Sequence, residues 1–156
     1  MRMDKSILSE YADMKEEIKD LRRRISEDQK WIDRLQRTIV SDSVTCGKKG
    51  KKPIRTVKIK GFPQVEIDRR IELMKRRQAK LQMLETDLIK KQMQVEEYIQ
   101  TIQKSELRTM FRLYYIDNLT WYQVAMRMNQ IFPKRRIKYT EDNCRIRHNR
   151  FLEQVA

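Results

Sequence analysis

The sequence predicts an all-α protein: a long antiparallel helical hairpin of coiled-coil type, broken by a basic loop or short β element, followed by three short helices. Three observations carry that expectation. Of 156 residues only three are glycine and three proline, so Gly-rich phosphate loops, sets of tight hairpins and α/β folds have almost nothing to build on. Charged residues make up 37% of the chain and apolar ones 39%, proportions that suit amphipathic helices better than one large core. Finally, apolar residues recur in steps of three and four along two long stretches.

The first stretch runs Ile7, Tyr11, Met14, Ile18, Leu21, Ile25, Ile32, Leu35 and Ile39, with only Asp28 out of pattern. Such a heptad seam puts one stripe of side chains on a face that a lone helix cannot bury and a partner helix can. At 1.5 Å per residue the helix would span about 50 Å. Asp4 or Ser6 can cap its start, and Ser41-Asp42-Ser43 is expected to end it.

Residues 41–62 hold all three glycines, Gly47, Gly50 and Gly61, and the run Lys48-Lys49-Gly50-Lys51-Lys52-Pro53, which reads as a loop. Arg55 to Lys60 then alternates with period two, the pattern of a short strand or extended arm before Gly61 and Pro63. The lysine run lacks the spacing of a nucleotide-binding P-loop. From Gln64 to Gln103 a second helix carries Ile67, Ile71, Met74, Leu81, Leu88, Val95, Ile99 and Ile102 in a heptad frame, with Gln78, Glu85 and Gln92 interrupting it. Polar seam positions lower stability but fix register. The first helix is its expected partner within residues 1–104. Leu84, Ile89 and Met93 beside the stripe, with Trp31, leave apolar surface for a homodimer through the long helices.

Composition changes at Ser105. Four of six tyrosines, three of four phenylalanines and one of two tryptophans follow it, so residues 105–156 are expected to form a compact domain. Its first helix should show Leu107, Met110, Phe111 and Tyr114 on one face and end in a turn at Asp117-Asn118. Thr120 should cap a second helix with Val124, Ala125 and Met128 facing inward. Thr140 should cap a third, with Cys144, His148, Phe151 and Val155 on its apolar stripe. His148 on that stripe reads as a packed core residue.

Net charge points to the partner. Of the formal +14, residues 41–62 carry +6 and residues 105–156 carry +5, a clustering that suits a polyanion. The outward face of the third helix offers Asn143, Arg145, Ile146, Arg147, Asn149 and Arg150, donors able to reach base edges and phosphates in a major groove. Arg145, Arg147 and Arg150 are the expected phosphate or base contacts and Asn143 and Asn149 the candidate adenine readers. Lys134, Arg135, Arg136 and Lys138 lie just before this helix and suit phosphate.

The stretch Leu107-Arg108-Thr109-Met110-Phe111-Arg112-Leu113-Tyr114-Tyr115, followed by Asn118-Leu119-Thr120-Trp121-Tyr122-Gln123-Val124-Ala125, resembles the start of region 4 in sigma-70-type factors, and Thr140 to Leu152 resembles their recognition helix. With the basic segment between two long helices, the whole chain is similar to phage late-gene transcriptional regulators of the ArpU/RinA type. That resemblance implies a sigma-70 region-4-like helix-turn-helix at 105–156. It also implies a DNA-binding transcriptional regulator with double-stranded DNA, and in some settings RNA polymerase, as partner. Two departures stand out. Asn129 to Tyr139 enlarge the connection between the last two helices into a helical extension, a small wing or a phosphate grip. The base-reading positions of sigma factors fall on Glu141, Asp142, Asn143 and Ile146, so recognition of a −35 promoter element does not carry over.

A phage terminase small subunit, which also joins a helix-turn-helix to coiled-coil helices, is the rival expectation; a third is a coiled-coil protein whose basic loop binds RNA or acidic protein. Paired carboxylates in an apolar pocket, a nucleophile with its base, or a metal-ligand cluster cannot be assembled from these residues. Catalysis, metals and cofactors are therefore not expected. Cys46 and Cys144 lack any CxxC or His-rich neighbour and read as reduced thiols. The longest apolar run, Leu113-Tyr114-Tyr115-Ile116, is too short for a membrane span or a signal segment, and a cytoplasmic protein is expected.

Overall fold

The computed structural model describes residues 4–38, 40–46, 55–61 and 63–155. Helices α1 (Ser6–Arg37) and α2 (Gln64–Thr101) flank strands β1 (Val40–Cys46) and β2 (Arg55–Gly61), and α3 (Ser105–Phe111), α4 (Trp121–Ile131) and α5 (Glu141–Gln154) follow. One π-helical turn, Arg112–Ile116, extends α3. The fold is all-α apart from the two strands, and α1 packs with α2 as the heptad seams predict. The chain forms two compact units, one made of Met1–Glu17 with Leu84–Ala156 and the other of Ile18–Met83.

In the unit Ile18–Met83 the seam buries Ile18, Leu21, Ile32 and Ile67. Asp28, the residue out of pattern, is buried among them at 2% exposure and takes Arg77 at 2.6 Å and Arg70 at 3.7 Å across the helix pair. A carboxylate so enclosed persists only with hydrogen-bonded cations. Removing a partner from such a pair costs about 3–5 kcal/mol when both ends are buried. Arg77 keeps 26% exposure, which puts its removal at the lower end. An apolar residue at 28 would tolerate other alignments of the two helices, whereas this pair favours one register.

Two expectations about this region change. The first helix ends at Arg37, not at Ser41-Asp42-Ser43. Thr38 closes it by donating its hydroxyl to the Arg34 carbonyl at 2.9 Å. Residues Val40 to Cys46 then form a strand antiparallel to Arg55–Gly61, in a register that sets Val40 opposite Gly61 and Cys46 opposite Arg55. The period-two run after Arg55 is therefore a strand, as one expectation had it, and the segment read as loop supplies its partner. Ile39 and the glycine- and lysine-rich stretch 47–54 lie outside the described residues.

In the other unit the seam begins one residue later than expected, with Leu8 and Tyr11 buried and Ile7 only half-buried. Asp4 caps α1, accepting the Ser6 N–H at 3.3 Å. Leu8 and Tyr11 pack with Val95, Tyr98, Ile99 and Ile102 of the α2 end and with Phe111 and Tyr115. Burying each of these side chains contributes about 1.5–3 kcal/mol. A second cluster joins Met110 and Leu113 to Val124, Ala125, Met128, Tyr139 and Cys144. The segment from Ser105 to Ile116 thus buries two faces. One is turned to the long helices and one to α4 and α5.

Polar contacts tie the same parts together. Lys5 donates to the Leu152 carbonyl near the end of α5 at 2.8 Å, and Lys15 donates to the Tyr115 carbonyl. A cation suits the negative end of a helix. Arg108 returns to the end of α2, donating to the Ile102 and Gln103 carbonyls at 2.6 and 2.9 Å. All of these contacts lie within the compact unit Met1–Glu17 with Leu84–Ala156. Residues 105–156 complete a core with both ends of the long helices.

Candidate nucleic-acid interface

The helix-turn-helix elements form where their sequence signals lie. Thr120 caps α4 in a capping box, accepting the Gln123 N–H at 3.4 Å while Gln123 Oε1 accepts the Thr120 N–H at 3.0 Å. Thr140 does the same for α5 with Asn143, at 3.2 and 3.0 Å. Val124, Ala125 and Met128 face the core, as do Cys144 and His148, and Phe151 is half-buried. Val155, expected on the same stripe, lies past the end of α5 and is 46% exposed. Asn118, in the expected turn, adopts a φ of 61°, a left-handed conformation that asparagine tolerates better than most residues.

His148 sits in an aromatic cage of Phe111, Tyr114, Tyr115 and Trp121, with ring centroids 4.9–5.6 Å away. It accepts from the Tyr115 hydroxyl at 2.7 Å through Nε2 and donates through Nδ1 to Asn149 Oδ1 at 3.0 Å. Burial pushes its pKa down and that of Tyr115 up, so both stay neutral. Burial likewise pushes the Cys144 thiol up to about 11, leaving it an inert packing group. These groups pack α5 against α3, the π-helical turn and α4.

The long connection between α4 and α5 is a built turn. Helix α4 continues to Ile131, so the connection is shorter than the Asn129–Tyr139 span expected from sequence, and it holds no strand that could form a wing. Asn129 clamps its far end with both halves of its amide. Its Oδ1 accepts the Tyr139 N–H at 2.8 Å and its Nδ2 donates to the Tyr139 carbonyl at 2.9 Å. Phe132 and Tyr139 pack beneath, with ring centroids 6.3 Å apart. Lys134, Arg135, Arg136, Ile137 and Lys138 are left on the outside. Lys138 reaches the Pro133 carbonyl at 3.3 Å.

The nine sequence-predicted residues separate into three groups. Arg145, Arg150, Lys134, Arg136 and Lys138 are exposed, and of these only Arg145 has an acidic partner among the described residues, Asp142 at 3.0 Å. Arg135 and Arg147 converge on one carboxylate, Glu106 at the start of α3. Arg147 lies 3.4 Å from it and Arg135 pairs directly with it. Arg147 also lies over the Tyr139 ring, 5.3 Å from its centroid. Burial, with Glu106 nearby, raises the Tyr139 phenol.

Of the candidate adenine readers, Asn143 has both halves of its amide engaged within the fold, whereas Asn149 is exposed and engages its Oδ1. Asn143 forms the α5 cap and donates Nδ2 to the Lys138 carbonyl at 3.1 Å, and Asn149 holds His148. Bidentate reading of adenine needs both halves of a free amide, so Asn143 is not available for it without undoing the cap. Glu106 was invisible to sequence reasoning. Nothing in the sequence marks a glutamate 29 and 41 residues before the two arginines as their common partner.

Among the described residues no helix is long and apolar enough to cross a membrane. Compared with family models, curated proteins and solved structures, the chain matches none.

Proposed function

We propose that this protein is a sequence-specific DNA-binding transcriptional regulator, an activator of phage or mobile-element genes, that docks α5 in the major groove of duplex DNA. The observation that carries this reading is the two-sidedness of α5. Its inward stripe is locked by Cys144, His148 and Phe151, while Arg145, Ile146 and Arg150 stand exposed beside the basic turn 134–138. A rigid helix with exposed guanidinium groups can serve base edges or phosphates, and a flanking lysine and arginine cluster suits the backbone. The long helices supply the second half of the reading, a homodimer that would bind two half-sites. Ile89 and Met93, 64% and 61% exposed and four residues apart on α2, are the apolar surface for it.

The test is to mix the full chain with fragments of its source genome at near-physiological salt, recover what binds and map it. Discrete sites just upstream of genes are the expected result. Recovery at a packaging locus, together with a ring of many subunits in solution, would instead make this a DNA-packaging component. Binding without discrete sites would overturn sequence-specific regulation.

A further inference from the structure

Most of the net charge of this chain lies outside the compact unit that holds α5. Residues Ile18–Met83 contain 20 basic and 8 acidic side chains and so carry +12, leaving +2 for the unit that holds α5. Within Ile18–Met83 the two long helices frame a shallow depression lined by Arg24, Lys30, Trp31, Arg34, Arg70 and Arg77, with Glu27 and Asp28 the acidic residues at its edge and floor.

The acidic groups are already committed. Asp28 is enclosed by Arg77 and Arg70. Glu27 pairs with Arg23 at 2.6 Å, and Arg24 pairs with Asp20 at 2.7 Å. Lys30 and Arg34, one helical turn apart, have no carboxylate partner among the described residues. Trp31 is 43% exposed, and the guanidinium groups of Arg34 and Arg70 lie over its ring at 5.3 and 5.4 Å. Cation–π contact holds these two arginines in place without neutralising them. The depression therefore gathers cations that repel one another and are only partly compensated. A ligand bearing phosphate groups would relieve that repulsion.

We infer that this depression is a second binding site, taking phosphodiester groups of a nucleic-acid backbone without regard to sequence. It uses residues other than those of α5, and it shares with the proposed function only the choice of nucleic acid as ligand. Exposed cations in an aromatic-braced cluster suit backbone contact, and the guanidinium groups of Arg34 and Arg70 already lie over the Trp31 ring, where a base would have to stack. Lys30 and Arg34 are the contacts. Arg70 and Arg77 hold the floor through Asp28.

The test uses the full chain, a duplex of scrambled sequence, and the Lys30→Ala/Arg34→Ala double variant. Both positions are exposed and leave the Asp28 pair intact, and helicity by circular dichroism checks the fold. The variant is expected to bind the scrambled duplex several-fold more weakly, with a log K against log salt slope shallower by about 2, one per phosphate lost. Trp31 supplies a second readout: in a Trp121→Phe background it is the only indole, and its emission should change on adding the duplex. Unchanged affinity and slope in the double variant, with no change in Trp31 emission, would overturn the site. An Arg145→Ala/Arg150→Ala variant separates the two readings. If it binds every duplex as the wild type does while the Lys30/Arg34 variant does not, the α5 assignment falls and this site stands. No binding of any duplex by the wild type would overturn both.

Discussion

On the proposed DNA-binding reading, Glu106 decides how much of the α5 surface is free for the duplex. Its carboxylate, 21% exposed, takes Arg135 from the turn and Arg147 from α5. Two of the cations expected to meet phosphate are thus held by an internal anion. Such an anion can either aim the arginines or compete for them. The cation–π contact of Arg147 with Tyr139 and that of Arg135 with Phe132, at 5.3 and 5.8 Å, already aim both, so competition is the larger effect. Glu106→Gln, which keeps the shape and removes the charge, is expected to raise affinity for duplex DNA several-fold. It should also steepen the salt slope by up to about 2. Electrophoretic or anisotropy titrations at three salt concentrations measure both. A fall in affinity would show instead that Glu106 aims the two arginines.

At the scale of elements, the consequential finding is that α3, α4 and α5 share a core with the ends of the long helices. Phe111 and Tyr115 are buried against Leu8, Tyr11, Val95, Tyr98, Ile99 and Ile102. A fragment of residues 105–156 would expose that entire face and lose the Lys5 and Lys15 contacts. It is expected to show reduced helicity and no cooperative thermal transition, whereas the full chain melts cooperatively. A fragment that melts sharply and binds DNA would show that the shared core is dispensable. Local signals foretold much of this architecture. The threonine caps, the inward Val124, Ala125 and Met128, and the long periodic helices all follow from side chains a few residues apart, which is the range over which periodicity and capping act. What sequence missed depends on distant partners. Strand β1 has Ser41, Asp42 and Ser43 between its valines and gains its conformation by pairing with β2. Asp28 looked like a break in the seam because Arg70 and Arg77 stand more than 40 residues away. Asn143, read as a base contact for its outward place on α5, spends its amide on the cap, a duty that the Thr140 spacing equally foretells.

For the whole molecule, on the proposed DNA-binding reading, electrostatic attraction and sequence preference fall to different residues. The unit Ile18–Met83 carries +12 and the unit bearing α5 only +2. Because counterion release scales with the number of phosphates neutralised, the salt dependence of binding should come mainly from the first unit, and the preference among sequences mainly from α5. With about six to eight phosphates neutralised per complex, log K should fall with log salt at a slope of roughly −5 to −7. Arg145→Ala/Arg150→Ala removes at most two such contacts, so it should lower the slope by no more than about 2. The same change removes the exposed guanidinium groups of α5 that can reach base edges, and the ratio of affinities for mapped site over scrambled duplex should collapse towards one. Titrations of both duplexes at 50 to 200 mM salt, with wild type and variant side by side, measure the slope and the ratio independently. A variant that loses most of the slope but keeps its preference would reverse the assignment: α5 would then be the electrostatic contact, and the source of sequence preference would lie outside it.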